Sequence, residues 1–176
     1  GSSQKAQFTQ NGSVGDASTI RWTASGPGNV TFGSNTAAST TVQMDTDGTY
    51  VLQLSGTDAV GNVATDTVTI VWDTTVPSVS VGGNILTKTS QAIDATVTDA
   101  DTIQSYSWSQ TAGPGTCLFS ATNTEDTTIS TCSADGAYTL ELAATDAAGN
   151  TGSSSLTFTW DTDRKSTRLN SSHVRT

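Results

Sequence analysis

The chain has 176 residues, enough for one or two domains, with sixteen acidic and seven basic side chains and a formal net charge of −9. Four of the basic residues follow Asp163, the last acidic one, so residues 1 to 163 carry three basic against sixteen acidic side chains, net −13. A body of that charge repels nucleic acid and anionic membranes and attracts divalent cations or basic partners, and no stretch reaches the ~20 apolar residues of a membrane span.

Thr, Ser, Gly, Val and Asp abound, Met occurs once and no window has helical periodicity, so short strands and turns are predicted. In chain order, a strand bearing Trp22 precedes the turn Gly26-Pro27-Gly28, and a second turn, Asp45-Thr46-Asp47-Gly48, follows. The next strand alternates Tyr50, Leu52 and Leu54 onto one face. Asp58-Ala59-Val60-Gly61-Asn62 then makes a hairpin turn, because Gly and Asn tolerate positive φ. The returning strand alternates Val68, Ile70 and Trp72. A linker from Asp73 meets Pro77, which restricts Val76 to extended conformations and makes the junction semi-rigid.

The series then recurs. Residues 47 to 74 overlie residues 135 to 162 at a constant offset of 88, with Asp47, Gly48, Tyr50, Leu52, Leu54, Asp58, Gly61, Asn62, Trp72, Asp73 and Thr74 meeting identical residues. Upstream, Trp22 matches Trp108, Gly26-Pro27-Gly28 matches Gly113-Pro114-Gly115, and Lys5, Asp16 and Ile20 match Lys88, Asp99 and Ile103. Nothing in the first copy corresponds to residues 76 to 81, so its opening strand is expected to be missing, and any leader to lie upstream. The predicted organisation is repeat 1 over residues 1–73, repeat 2 over 74–162 and a tail over 163–176. Six or seven short strands per copy predict an all-β fold of tandem two-sheet sandwiches.

The segments RWTASGPG with DGTYVLQLSGTDAVGN, and SWSQTAGPG with DGAYTLELAATDAAGN, resemble the polycystic-kidney-disease (PKD) type of immunoglobulin-like repeat over residues 5 to 162. The linker WDTTVPSVSV is similar to junctions between bacterial Ig-like repeats of adhesins. The Trp-Asp-Phe-Gly-Asp-Gly string of many PKD modules is replaced here by Gly-Pro-Gly. The resemblance implies that Trp22 and Trp108 sit on a strand crossing the centre of a sheet and fill the space between sheets. It implies that Tyr50 and Tyr138 form tyrosine corners, with Trp72 and Trp160 at repeat-equivalent core positions.

Cys117 and Cys132 align with Val30 and Met44, flank a segment short enough for two neighbouring strands, and are expected to pair in an oxidising compartment. Among the carboxylates, Asp58, Asp73, Asp99, Asp101 and Asp146 lie in turns or at the junction and are candidate calcium ligands, against the alternative of solvated or turn-capping Asp. Calcium is the one candidate cofactor, and none is required by the fold. The only histidine, His173, lies in the tail, so no Ser-His or Cys-His pair can be assembled from the folded body and no enzyme is expected. The tail itself resembles translated sequencing-adapter read-through, is expected to be disordered and is assigned no function.

These readings predict a non-catalytic structural and adhesive module of a large bacterial secreted or cell-surface protein, a semi-rigid spacer with weak ligand contacts. Its partners would be neighbouring repeats of the same chain and a surface glycan or protein, with no nucleic acid and no membrane insertion. The alternative is a carbohydrate- or protein-binding accessory module of a secreted hydrolase.

Overall fold

The computed structural model describes residues 2–163, so the predicted tail, apart from Asp163, lies outside the described residues. Within them every regular element is a strand. Repeat 1 contains β1 (Ser2–Gln4), β2 (Phe8–Asn11), β3 (Thr19–Ser25), β4 (Val30–Phe32), β5 (Ser39–Met44), β6 (Gly48–Thr57) and β7 (Val63–Trp72). They form a four-stranded sheet in the order β1-β7-β6-β3 and a three-stranded sheet in the order β2-β5-β4. β6 and β7 pair antiparallel from Gly48 opposite Trp72 to Thr57 opposite Val63, and β1 runs parallel to β7.

Repeat 2 contains β8 (Ser78–Ser80), β9 (Ile85–Thr87), β10 (Gln91–Ile93), β11 (Thr96–Thr98), β12 (Ile103–Ala112), β13 (Cys117–Phe119), β14 (Thr127–Cys132), β15 (Gly136–Asp146) and β16 (Thr151–Trp160). Its sheets run β12-β15-β16-β9 and β10-β14-β13, with β8 and β11 forming a separate two-stranded pair. β9 runs parallel to β16 as β1 does to β7, so β1 is the counterpart of β9. β8 and β11 have no counterpart among the described strands of repeat 1. The described residues divide into two compact units, one comprising residues 2–79, 97–106 and 143–153 and the other residues 80–96, 107–142 and 154–163.

Alternation along the strands builds the interiors. On β6, Tyr50, Leu52 and Leu54 are buried while Val51 and Gln53 between them are exposed, and Ile70 and Trp72 of β7 join them in one cluster with Trp22, Val42 and Met44. In repeat 2, Tyr138, Leu140, Leu142, Leu156, Phe158 and Trp160 are buried in the same way. The tryptophan strands depart from expectation, because β3 and β12 are the outermost strands of their sheets and the centres belong to β6 with β7 and β15 with β16. Trp22 and Trp108 are still only 4% and 3% exposed. Their indole N–H groups donate to the carbonyls of Ala37 and Glu125, each at 3.0 Å, and Phe32 and Phe119 lie beside the rings. An edge strand can therefore bury a tryptophan when the following segment folds over it.

Each buried tyrosine hydroxyl finds an acceptor four residues upstream, Tyr50 on Thr46 at 2.7 Å and Tyr138 on Ala134 at 2.6 Å. The Gly-Pro-Gly turn is shaped around this corner. A Cβ on Gly26 would stand 2.2 Å from Tyr50 Cδ1, and one on Gly113 would stand 2.1 Å from Tyr138 Cδ1. The motif thus seats the phenol ring where any larger residue would collide with it.

Cys117 and Cys132 face each other across β13 and β14 and are joined by a disulfide. Val30 and Met44 hold the same register across β4 and β5, so repeat 1 fills this site by apolar contact alone.

Two expectations follow from this architecture. Tyr138→Phe, which leaves the ring in place and the Ala134 carbonyl without its donor, should lower stability by about 1–2 kcal/mol, read in urea as a lower midpoint at unchanged slope. The double variant Cys117→Val with Cys132→Met borrows the pair of repeat 1 and should still fold, with a loss of up to ~3 kcal/mol for a loop of this length. A reducing agent should shift the melting of the unsubstituted chain and leave that variant unmoved.

Candidate functional site

Most of the turn carboxylates singled out in the sequence are occupied by the turns themselves. Asp58 Oδ1 accepts the N–H groups of Val60 and Asn62, both at 2.9 Å, and its Oδ2 accepts Asn62 Nδ2 at 2.7 Å. Asp146 makes the same turn with Asn150, at 2.8 Å to the backbone N–H and 2.9 Å to Nδ2. The glycine of each turn has positive φ, 92° at Gly61 and 87° at Gly149, as the spacing of the motif requires. Asp45 accepts both the N–H and Nδ2 of Asn29. Asp47 accepts from Thr74 and Thr75, and Asp135 from Thr162, so the shared Asp-Thr at the end of each repeat is tied to the shared Asp-Gly.

One group is different. Asp73, Asp99 and Asp146 each place a carboxylate oxygen within 4.8 Å of the others. All three belong to the same compact unit, although Asp73 closes repeat 1 and the other two belong to repeat 2. Asp73 is 6% exposed and Asp146 fully buried. Asp73 Oδ1 accepts the Thr75 N–H at 2.9 Å, whereas Asp73 Oδ2 is buried with no hydrogen-bond partner. Asp99 Oδ1 accepts the Asp101 N–H at 2.8 Å, and the Oδ2 atoms of Asp99 and Asp101 are likewise buried and unpartnered. Burial, opposed by the Thr75 N–H, acts with the neighbouring charges of Asp146, Asp99 and Asp47 to push the Asp73 carboxyl above the usual carboxylate range.

Of the five carboxylates expected to bind a cation, the structure brings Asp73, Asp99 and Asp146 together. Asp101 sits two residues along from Asp99, outside that group, and Asp58 lies in the equivalent hairpin of repeat 1. A second group, Asp135, Asp161 and Asp163, went unrecognised in the sequence and is exposed, with Asp161 Oδ1 accepting the Asp163 N–H.

Two other residues at this place were also missed. Asn150 Nδ2 donates to the Asp73 carbonyl at 3.0 Å, and a Cβ on Gly152 would stand 2.0 Å from the Pro77 carbonyl oxygen. The sequence does carry a signal for Gly152: its counterpart in repeat 1 is Ala64, so the two copies differ where the linker of one lies on the strand of the next.

The family model described as "K319L-like, PKD domain" matches residues 4–71 and again residues 84–159. No curated protein matches the chain. Among solved structures, the PKD domain of the KIAA 1837 protein is 22% identical, with a TM-score of 0.42, covering 50% of this chain and 91% of that one. The fibronectin(III)-like modules of Clostridium thermocellum CbhA are 12% identical with a TM-score of 0.42, covering 91% and 88%. The D00-D0 domain of intimin is 12% identical with a TM-score of 0.46, covering 89% and 94%.

The capped carboxylates set an acid limit on the fold. The Asn62 side chain and then its N–H hold Asp58 below the ordinary value of 3.8, and the Asn29 side chain and then its N–H do the same for Asp45. A carboxyl lowered in the folded state stabilises above the unfolded value and loses that contribution as pH falls through the folded one. Melting temperature should therefore drop as pH is lowered from 4 toward 2, and a variant carrying both Asp45→Asn and Asp58→Asn should drop less over that window.

Proposed function

Because the chain belongs to the K319L-like PKD domain family, we propose that it is a non-catalytic spacer of a bacterial protein exposed outside the cell, holding its neighbours at a set distance. The observation that carries this reading is the way the linker is held. Thr74 and Thr75 are bonded to Asp47 of repeat 1, the Asp73 carbonyl receives Asn150 of repeat 2, and the Pro77 carbonyl lies where only a glycine, Gly152, leaves room. A linker with both of its sides bonded has little freedom to bend, which is what reach without slack demands.

Other features support the same reading. The residues the two copies share are spent on strands, turns and corners, and the Cys117–Cys132 bond suits an oxidising compartment. Among the described residues no helix is long and apolar enough to cross a membrane. All four tryptophans are 6% exposed or less, so no indole offers a flat face to a sugar ring. Its partners in this reading are the neighbouring repeats of the same chain, with weak contacts to a surface glycan or protein along its length.

The test exchanges the module within its parent protein. An unrelated rigid module of equal end-to-end length in place of residues 2–162 should preserve the adhesion or activity of the parent, and a flexible Gly-Ser segment of equal residue count should not. Failure of the rigid substitute, together with retention of the isolated chain on an insoluble polysaccharide or a partner protein, would replace the spacer by a binding module.

A further inference from the structure

We propose that Asp73, Asp99 and Asp146 together bind a calcium ion, which fastens the linker to repeat 2. The inference is independent of the spacer reading, since a cation could bind here whatever the module does.

The argument starts from an uncompensated cost. A buried carboxylate oxygen without a donor loses its hydration and gets nothing back, and such groups are rare in folded proteins. Here Asp73 Oδ2 and Asp99 Oδ2 are both in that condition, and Asp73 itself is 6% exposed. Three carboxylates with oxygens within 4.8 Å of one another also repel one another. A divalent cation removes both penalties at once.

Geometry and donor type indicate which cation. Oxygens that share one calcium ion at its usual ~2.3–2.6 Å lie no more than about 5 Å apart, and the three groups here offer oxygens within 4.8 Å of one another. The donors are all oxygen, which suits calcium and disfavours zinc, a metal that favours nitrogen and sulfur. Asp146 already accepts from Asn150 through both oxygens, but a carboxylate has about four lone-pair sites and can coordinate as well. Waters would complete the shell of six to eight.

The repeat explains why these three were found together. Asp161 holds the place of Asp73 in repeat 2, while Asp16 and Asp58 hold those of Asp99 and Asp146 in repeat 1 and line one groove there. Each copy therefore carries a pair of acids and, apart from it in the sequence, a third. Within the described residues the third of one copy meets the pair of the other once.

The experiment uses the full chain, stripped with a chelator and dialysed. Equilibrium dialysis against calcium should find one ion retained per chain, and a hundredfold excess over Kd should raise the melting temperature by roughly 5 °C or more. Sodium chloride at matched ionic strength should not reproduce the shift, and magnesium, which prefers a tighter octahedron, should give a smaller one. Asp99→Asn should melt at least as high as the unsubstituted chain in chelator, having lost a repulsive charge, and should lose the calcium response. Asp161→Asn, in the exposed group, should keep it. Absence of retained calcium, an equal response to sodium chloride or magnesium, or an unaltered response in Asp99→Asn would overturn the proposal, and none of these outcomes bears on the module-exchange test.

Discussion

A phenol that is wholly buried must still give its proton to something. Tyr50 and Tyr138 are 0% and 1% exposed, and each settles the matter by bonding the carbonyl four residues upstream. That bond fixes the path by which the chain leaves one sheet and enters the next, and much else is arranged to permit it. The first glycine of each Gly-Pro-Gly clears room for the ring, Pro27 and Pro114 cover Gly48 and Gly136 at the start of the tyrosine strands, and the alternation that begins at the tyrosine continues inward through two leucines. Each repeat is thus organised from its corner outward, with the tryptophan interior following.

The acidity of the chain looks different once its partners are counted. Asp45, Asp47, Asp58, Asp135 and Asp146 all accept hydrogen bonds from turns or linkers. For Asp47 burial works against ionisation, and the hydroxyls of Thr75 and Thr74 outweigh it and hold the carboxyl low. These anions act as local fasteners for backbone N–H groups that no strand can satisfy. Among the described residues the supply of donors runs out at Asp73, Asp99 and Asp101, each of which keeps one buried oxygen without a partner.

How far the sequence could be read depended on the range of each interaction. Period-two alternation at Tyr50, Leu52 and Leu54, and the Asp-x-x-Gly-Asn turns, are local and strict, so strands and hairpins were legible, and the duplication made them doubly so. Strand order is a long-range property, which is why Trp22 was placed at a sheet centre when β3 is an edge. The same limit applies to the carboxylates. Composition drew attention to five of them, yet nothing in spacing alone could say that Asp73 meets acids 26 and 73 residues further on while Asp58 stays with its own turn. The mismatch of Gly152 with Ala64 shows where comparison of two copies tells more than either one: a difference inside a strict repeat marks what a neighbour touches.

Only one of the two copies carries a covalent cross-strand bond. If the chain transmits tension between its ends, that asymmetry governs how it yields. The bond between Cys117 and Cys132 spans a separation of 15, so with the disulfide intact roughly 50 Å of extended backbone, at ~3.3–3.6 Å per residue, is withheld from the pull. Repeat 1 has no such stop. Stretched in a reducing medium, repeat 2 would release its whole length, and in an oxidising one about 50 Å less, which makes the redox state of the surroundings a setting on the extensibility of the chain.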